Sequence, residues 1–231
     1  KDVINRGYTA KGIGVAFIDT GLYPHHDFTR PINRVKAFVD LTGKNENMYD
    51  DNGHGTFCAG VAAGNGFCSK GVYRGCAPEA NIIAIKAMDK DGGGDLTSIL
   101  RALQWIHDNA RKYNIRIVSM SVGTSPNPMS KIDPLELGVA KLWERGIVVV
   151  AAAGNGGPSR GTITTPGISR NIITVGAFDD GRGEGRPMKI PEFTSRGPAA
   201  GGINKPEMLA PGVNIISVKS DIKYTSGPVR I

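Results

Sequence analysis

Three short segments carry residue types that could share a reaction. Ile18-Asp19-Thr20-Gly21 ends an apolar run in a carboxylate, which is costly there unless something pairs with it. Asp51-Asn52-Gly53-His54-Gly55-Thr56 sets an imidazole between two glycines, ahead of the small apolar stretch 57–63, so the ring is accessible at a helix start. Histidine is the side chain suited to take up and return a proton near neutral pH. Ala151-Ala152-Ala153-Gly154-Asn155-Gly156-Gly157 presents one side-chain amide among residues small enough for a substrate backbone to come close. Each segment alone has an ordinary reading: Asp19 as a structural or metal-binding acid, His54 as a structural residue, Gly154 to Gly157 as a tight turn or phosphate loop. The last lacks G-x-G-x-x-G spacing, and no G-x-x-x-x-G-K-[ST] follows any apolar run, which disfavours nucleotide binding.

In combination, Asp-Thr-Gly, His-Gly-Thr and Ala-Ala-Gly-Asn resemble the motifs of the subtilisin-like serine proteases (subtilases), and in that family's order. Ser119-Met120-Ser121-Val122-Gly123 is similar to the family's substrate-pairing strand. Phe193-Thr194-Ser195-Arg196-Gly197-Pro198 and Lys205-Pro206-Glu207-Met208-Leu209-Ala210-Pro211-Gly212 resemble segments that precede its nucleophile. The resemblance implies a serine endopeptidase with an Asp-His-Ser triad. His54 takes the nucleophile's proton and passes it to the leaving amine. Asp19 fixes the imidazole tautomer and stabilises the imidazolium, and Asn155 donates its amide to the oxyanion. An extended peptide or protein substrate is expected to pair with the backbone at Ser121, Val122 and Gly123, and on its other side at Gly92, Gly93 and Gly94. The ordinary reading of the three glycines is a plain loop. Ala152, Ala153 and Gly154 line the primary pocket by the resemblance, and being small they leave room for a large apolar side chain.

The family's serine stands in Gly-Thr-Ser-Met-Ala after the Ala-Pro-Gly segment, and the 231 residues contain no such motif. Ser226-Gly227 matches only its opening; Pro228-Val229-Arg230-Ile231 departs from it and puts Val229 in the nucleophile's place. The expectation is most of a serine endopeptidase whose serine lies beyond Ile231. Such a chain is inactive alone and associates with its missing C-terminal segment. The start at Lys1, with neither Met nor a signal pattern, is read as a processed or excised piece. The alternative is a catalytically inactive relative that binds extended peptides, against which stands the joint presence of Asp19, His54 and Asn155.

Cys58 follows His54 by one helical turn and shares its face. It reads as a small buried apolar residue, or as a thiol through which a mercurial would displace His54. Asp27, in His25-His26-Asp27-Phe28, resembles a calcium-ligating Asp of many relatives, although the loop 64–77 departs from the usual pattern. No cofactor is required by the chemistry, and a structural calcium at Asp27 is the one cofactor reading. A transition metal on His25, His26 and Asp27 is disfavoured because adjacent side chains point apart. His107 reads as solvated.

These residues need elements to hold them. Mostly apolar runs at 13–18, 81–88, 116–122, 147–153, 171–177 and 213–218 read as buried strands. Leu96, Ile99, Leu100, Leu103 and Ile106 recur at helical spacing behind an Asp95 cap. A second helix runs from Pro134 to Arg145, closed by Gly146. The alternation predicts an α/β fold with a mostly parallel sheet flanked by helices, three-layered and subtilisin-like by the resemblance, in one domain spanning 1–231. In such sheets the loops at the strands' carboxyl ends carry the chemistry.

Composition narrows the function further. Lys and Arg number 28 against 21 Asp and Glu, a net charge of +7, but the charges are scattered and aromatics make up only 6%, which excludes a nucleic-acid stacking surface. No apolar stretch reaches the roughly 20 residues of a membrane helix. Three cysteines (Cys58, Cys68, Cys76) argue against a disulfide framework while leaving a Cys68–Cys76 bridge open. Free thiols incline the reading toward a cytoplasmic over a secreted protein, and secreted family members with cysteines also exist.

Overall fold

The computed structural model describes residues 2–43, 47–126, 133–181, 185 and 187–223, and Ser226, Gly227 and Val229 lie outside them. The chain divides into two compact units, residues 1–119 with 216–231 and residues 120–215.

In the first unit a single turn, α1 (Asp2–Asn5), precedes β1 (Gly14–Asp19), which is buried along its whole length, as a strand covered on both faces must be. β1 pairs in parallel with β3 (Asn81–Lys86), placing Asp19 beside Lys86. β2 (Val35–Asp40) lies parallel on the other edge of β3, with a register shift between Val35 and Ala37. The strand order here is β2-β3-β1-β4, and β4 (Ile115–Met120) leads into the second unit.

Side chains alternate across the sheet. Val15, Phe17, Ile82 and Ala84 cluster with Phe28 of α2 (His26–Thr29) and with Ala59 and Ala63 of α3 (His54–Ala63). Ala16 and Ile18 face the other way, where α4 (Leu96–Asn109) lies against β1 with Ile99, Leu103 and Ile106 buried. Burying each of the larger aliphatic side chains contributes about 1.5–3 kcal/mol. Asp95 caps α4, its carboxylate accepting from the Ser98 N–H at 2.9 Å and the Ser98 hydroxyl at 2.7 Å.

In the second unit α5 (Pro134–Glu144) starts on Asp133, which accepts from the Leu135 N–H at 2.8 Å, and packs on β5 (Val148–Ala152). β5 pairs with β6 (Ile173–Phe178), and β6 with β7 (Met208–Pro211), all parallel.

One expected element is corrected, and one strand joins those expected. Residues 213–218 form no strand: Asn214 adopts φ 55°, which breaks an extended run, and Ser217 Oγ donates to the Phe57 carbonyl on α3 at 2.7 Å instead of joining a ladder. The last strand among the described residues is β7, just upstream. β2 escaped the sequence reading because it is only half buried and so lacks a continuous apolar run. The Cys68–Cys76 bridge is absent: all three cysteines are unbridged. No helix among the described residues is long and apolar enough to cross a membrane.

Candidate active site

Asp19 ends β1 with its side chain 3% exposed, while His54, the first residue of α3, is 48% exposed. They meet directly, His54 Nδ1 lying 2.7 Å from Asp19 Oδ1. The same carboxylate oxygen accepts the Thr20 N–H at 2.8 Å, and the Asp19 carbonyl accepts the N–H of Ala87 at 3.0 Å. Such a short contact gives the imidazole an Nδ1–H that donates to the acid and leaves Nε2 as the basic nitrogen. Cys58 Sγ lies 3.8 and 3.7 Å from Nδ1 and Nε2. The hydrogen bond to Asp19 first, then the one to Cys58, push His54 above the ordinary imidazole value of 6.5, outweighing its partial burial.

What brings strand end and helix start together was not read from the sequence. Asp50 is wholly buried. Its carboxylate accepts from the Thr20 hydroxyl at 2.9 Å, the Gly53 N–H at 2.8 Å, the Thr56 N–H at 2.9 Å and the Thr56 hydroxyl at 2.6 Å. Burial pushes the Asp50 carboxyl up, and these bonds, the Thr56 hydroxyl's foremost, overcome it and hold the group below the usual carboxylate range. Thr20 in turn accepts the Gly55 N–H at 2.9 Å. A Cβ on Gly55 would stand 2.3 Å from the Gly21 carbonyl oxygen and 3.1 Å from Asp19 Cβ, so a glycine after the histidine is a steric requirement. The Asp-Thr-Gly and His-Gly-Thr motifs are thus two sides of one contact.

Lys86, fully buried at the end of β3, sits beneath this contact. Its ammonium donates to the Thr20 carbonyl at 2.5 Å, to Asp51 Oδ1 at 2.7 Å and to the Met88 carbonyl at 2.8 Å, and lies 5.0 Å over the Tyr49 ring. A lysine inside an otherwise apolar strand was the available signal, since a buried ammonium requires such partners.

Gly92, Gly93 and Gly94 form a turn closed on Asp89, whose carboxylate accepts the Gly93 N–H at 3.0 Å while its carbonyl accepts the Gly92 N–H at 3.1 Å. Asn52 ties this turn to the histidine loop by donating to the Lys90 carbonyl at 3.0 Å.

In the second unit Asn155 is exposed just beyond β5. Its loop is pinned by Ser195, whose N–H donates to the Gly154 carbonyl at 2.9 Å and whose Oγ accepts the Gly156 N–H at 3.0 Å. Gly154 has φ 108°, and a Cβ there would fall 2.8 Å from Thr164 and 2.9 Å from Ser195. Ala153 is buried between the Val175 carbonyl, 2.9 Å from its N–H, and the Thr164 N–H, 3.0 Å from its carbonyl; Ala152 closes β5 half buried. Ser121, Val122 and Gly123 leave β4 outside any strand, with Val122 buried and Gly123 exposed.

The Asp27 carboxylate accepts the Gly66 N–H at 3.0 Å and the Cys68 N–H at 2.9 Å.

Comparisons with known proteins place the chain in a family. The pattern of the subtilase family matches residues 10–229. The chain is 44% identical over 233 residues to the serine protease AprX of Bacillus subtilis, covering 97% of this chain and 52% of that protein. It is 33% identical to the minor extracellular protease Epr of the same organism, covering 98% of this chain and 31% of Epr. It therefore spans about half of one relative and a third of the other. Among solved structures, the S41 psychrophilic protease superposes with a TM-score of 0.78 at 32% identity, over 93% of this chain and 70% of the other. Sphericase gives 0.77 at 30%, over 92% and 70%. These likenesses bear out the three-layer α/β fold with its parallel strands and flanking helices. With the family pattern covering nearly every residue and the Asp-Thr-Gly and His-Gly-Thr segments joined as described, the chain belongs to the subtilase family.

Proposed function

We propose that this chain carries the base, the acid and the oxyanion donor of a serine endopeptidase, and that the nucleophilic serine comes from sequence outside these 231 residues. The observation that carries the reading is the 2.7 Å contact between His54 Nδ1 and the buried Asp19 carboxylate, which makes Nε2 the proton acceptor. In this mechanism Nε2 accepts the serine proton as the hydroxyl attacks the scissile carbonyl. Asp19 stabilises the imidazolium so formed, and Nε2–H then protonates the leaving amine. The factors that raise His54 basicity are the same ones that stabilise that imidazolium.

Asn155 donates its side-chain amide to the tetrahedral oxyanion. Loss of such a donor lowers turnover about 10²–10³-fold, a magnitude measured in subtilisin, itself a subtilase. The substrate binds extended, pairing with the backbone at Ser121–Gly123 and at the glycine turn. There the N–H groups of Gly92 and Gly93 already serve the turn, which directs pairing toward Gly94. Ala152, Ala153 and Gly154 bound the pocket for a large apolar side chain. Calcium has no step in this chemistry.

A fluorophosphonate probe applied to the full-length protein, followed by peptide mapping, tests the reading. The label is expected on a serine outside this sequence and is expected to vanish in His54→Ala. Label on Ser226 overturns the assignment, and an unlabelled protein that still binds peptides favours the inactive-relative reading.

A further inference from the structure

The calcium expectation at Asp27 does not fit its surroundings. Calcium takes six to eight oxygen ligands. The segment 66–68 instead turns two backbone N–H groups toward the Asp27 carboxylate, at 3.0 and 2.9 Å. The neighbouring ligand atoms are a nitrogen and a sulfur. His25, Asp27 and Cys68 bring one ligand atom each within 4.8 Å of one another.

The sequence argument that adjacent side chains point apart holds only for His26, whose ring sits edge-on to Phe67 with centroids 6.3 Å apart. His25 turns inward. Its ring is held by Tyr23 and Phe28, with centroids at 6.5 and 6.2 Å, and its Nδ1 accepts the Asp27 N–H at 3.2 Å. Nδ1 is therefore unprotonated, its one lone pair shared with that N–H. It lies 3.6 Å from Asp27 Oδ1, beyond hydrogen-bond range. For zinc with tetrahedral angles and bonds of about 2.0–2.2 Å, nitrogen and oxygen ligands stand about 3.4 Å apart.

We propose that His25 Nδ1, Asp27 Oδ1 and Cys68 Sγ form a three-ligand site for Zn²⁺, completed by water. The nitrogen and sulfur among the ligands suit zinc rather than calcium, and the 3.6 Å between Nδ1 and Oδ1 is close to the zinc spacing. The N–H groups on the carboxylate orient it, as hydrogen-bond partners of metal-bound carboxylates do. On binding, the metal takes the Nδ1 lone pair and so replaces the 3.2 Å hydrogen bond from the Asp27 N–H; the Cys68 thiol loses its proton to solvent and the thiolate bonds the metal, leaving two negative ligands opposite a dication. The metal fastens the start of α2 to the loop at 66–71, linking residues 41 positions apart through Asp27 and Cys68.

The test uses reduced protein in a Cys58→Ala background, because Asp19, His54 and Cys58 form a second such cluster. Equilibrium dialysis with ZnCl₂ is expected to show one zinc per chain and a raised melting temperature, with CaCl₂ producing neither. Co²⁺ in its place is expected to show a thiolate-to-metal absorption band. Cys68→Ser and His25→Ala, checked for native circular dichroism, are each expected to lose affinity about 100-fold or more, and Cys68→Ser to lose the band. Zinc uptake unchanged in either variant, no zinc uptake, or a preference for calcium overturns the proposal. None of these readouts depends on proteolysis, so the site stands or falls apart from the proposed function.

Discussion

His54 is the residue whose environment most directly sets behaviour. Only the neutral imidazole can accept the serine proton, and the hydrogen bonds His54 makes to Asp19 and with Cys58 favour the protonated form. For the full-length protein, kcat/KM is therefore expected to rise with pH through an apparent pKa above 6.5. Cys58→Ala removes the second of those causes and should lower that pKa; a profile unmoved by the substitution would count against the coupling. The thiol also offers chemical access to the ring, lying 3.7 Å from Nε2. An organomercurial on Cys58 is expected to abolish activity in the wild type and spare Cys58→Ala, and equal inhibition of both would remove Cys58 from the explanation. The sequence placed Cys58 correctly from the helical repeat, because local periodicity decides which face a residue four positions on will share.

At the scale of elements, the dyad depends on how closely the end of β1 meets the start of α3. Gly55→Ala places a methyl 2.3 Å from a backbone oxygen that cannot rotate away. The helix start must retreat, and since a misplacement of about 1 Å can cost on the order of 10²-fold in rate, kcat is expected to fall by about that factor with KM little changed. Steady-state kinetics beside circular dichroism separate this from unfolding. Lys86 braces the same junction from below. Lys86→Met strands Asp51 and two carbonyls and is expected to destabilise by about 3–5 kcal/mol in urea titration. Adding Asp51→Asn to Lys86→Met should recover part of the loss. No recovery would mean that the carbonyl contacts, not the ion pair, carry the stability. The strand-and-helix pattern was largely legible because buried strands and capped amphipathic helices announce themselves locally. β2 and β7 were not, since a half-exposed strand owes its pairing to neighbours distant in sequence.

Across the whole molecule, large apolar side chains stand exposed in both units: Ile216 at 61% and Ile222 at 55% in the first, and Phe193 at 43% and Met208 at 53% in the second. A polypeptide of these 231 residues alone is expected to self-associate and bind a hydrophobic dye through this exposed apolar surface. A dye-silent monomer by light scattering would contradict this. The amino-acid sequence by itself determined the order of the acid, the base and the amide, the α/β alternation and the resemblance to subtilases, because motif spacing and hydrophobic period are local properties of the chain. Only the tertiary structure decided that Asp50 and Lys86 brace the dyad, that Ser195 pins the Asn155 loop, and that Cys68 reaches His25 and Asp27. Each of these contacts joins residues about 30 or more positions apart, and hydrogen-bond and ligand geometry exist only once the chain has folded them together.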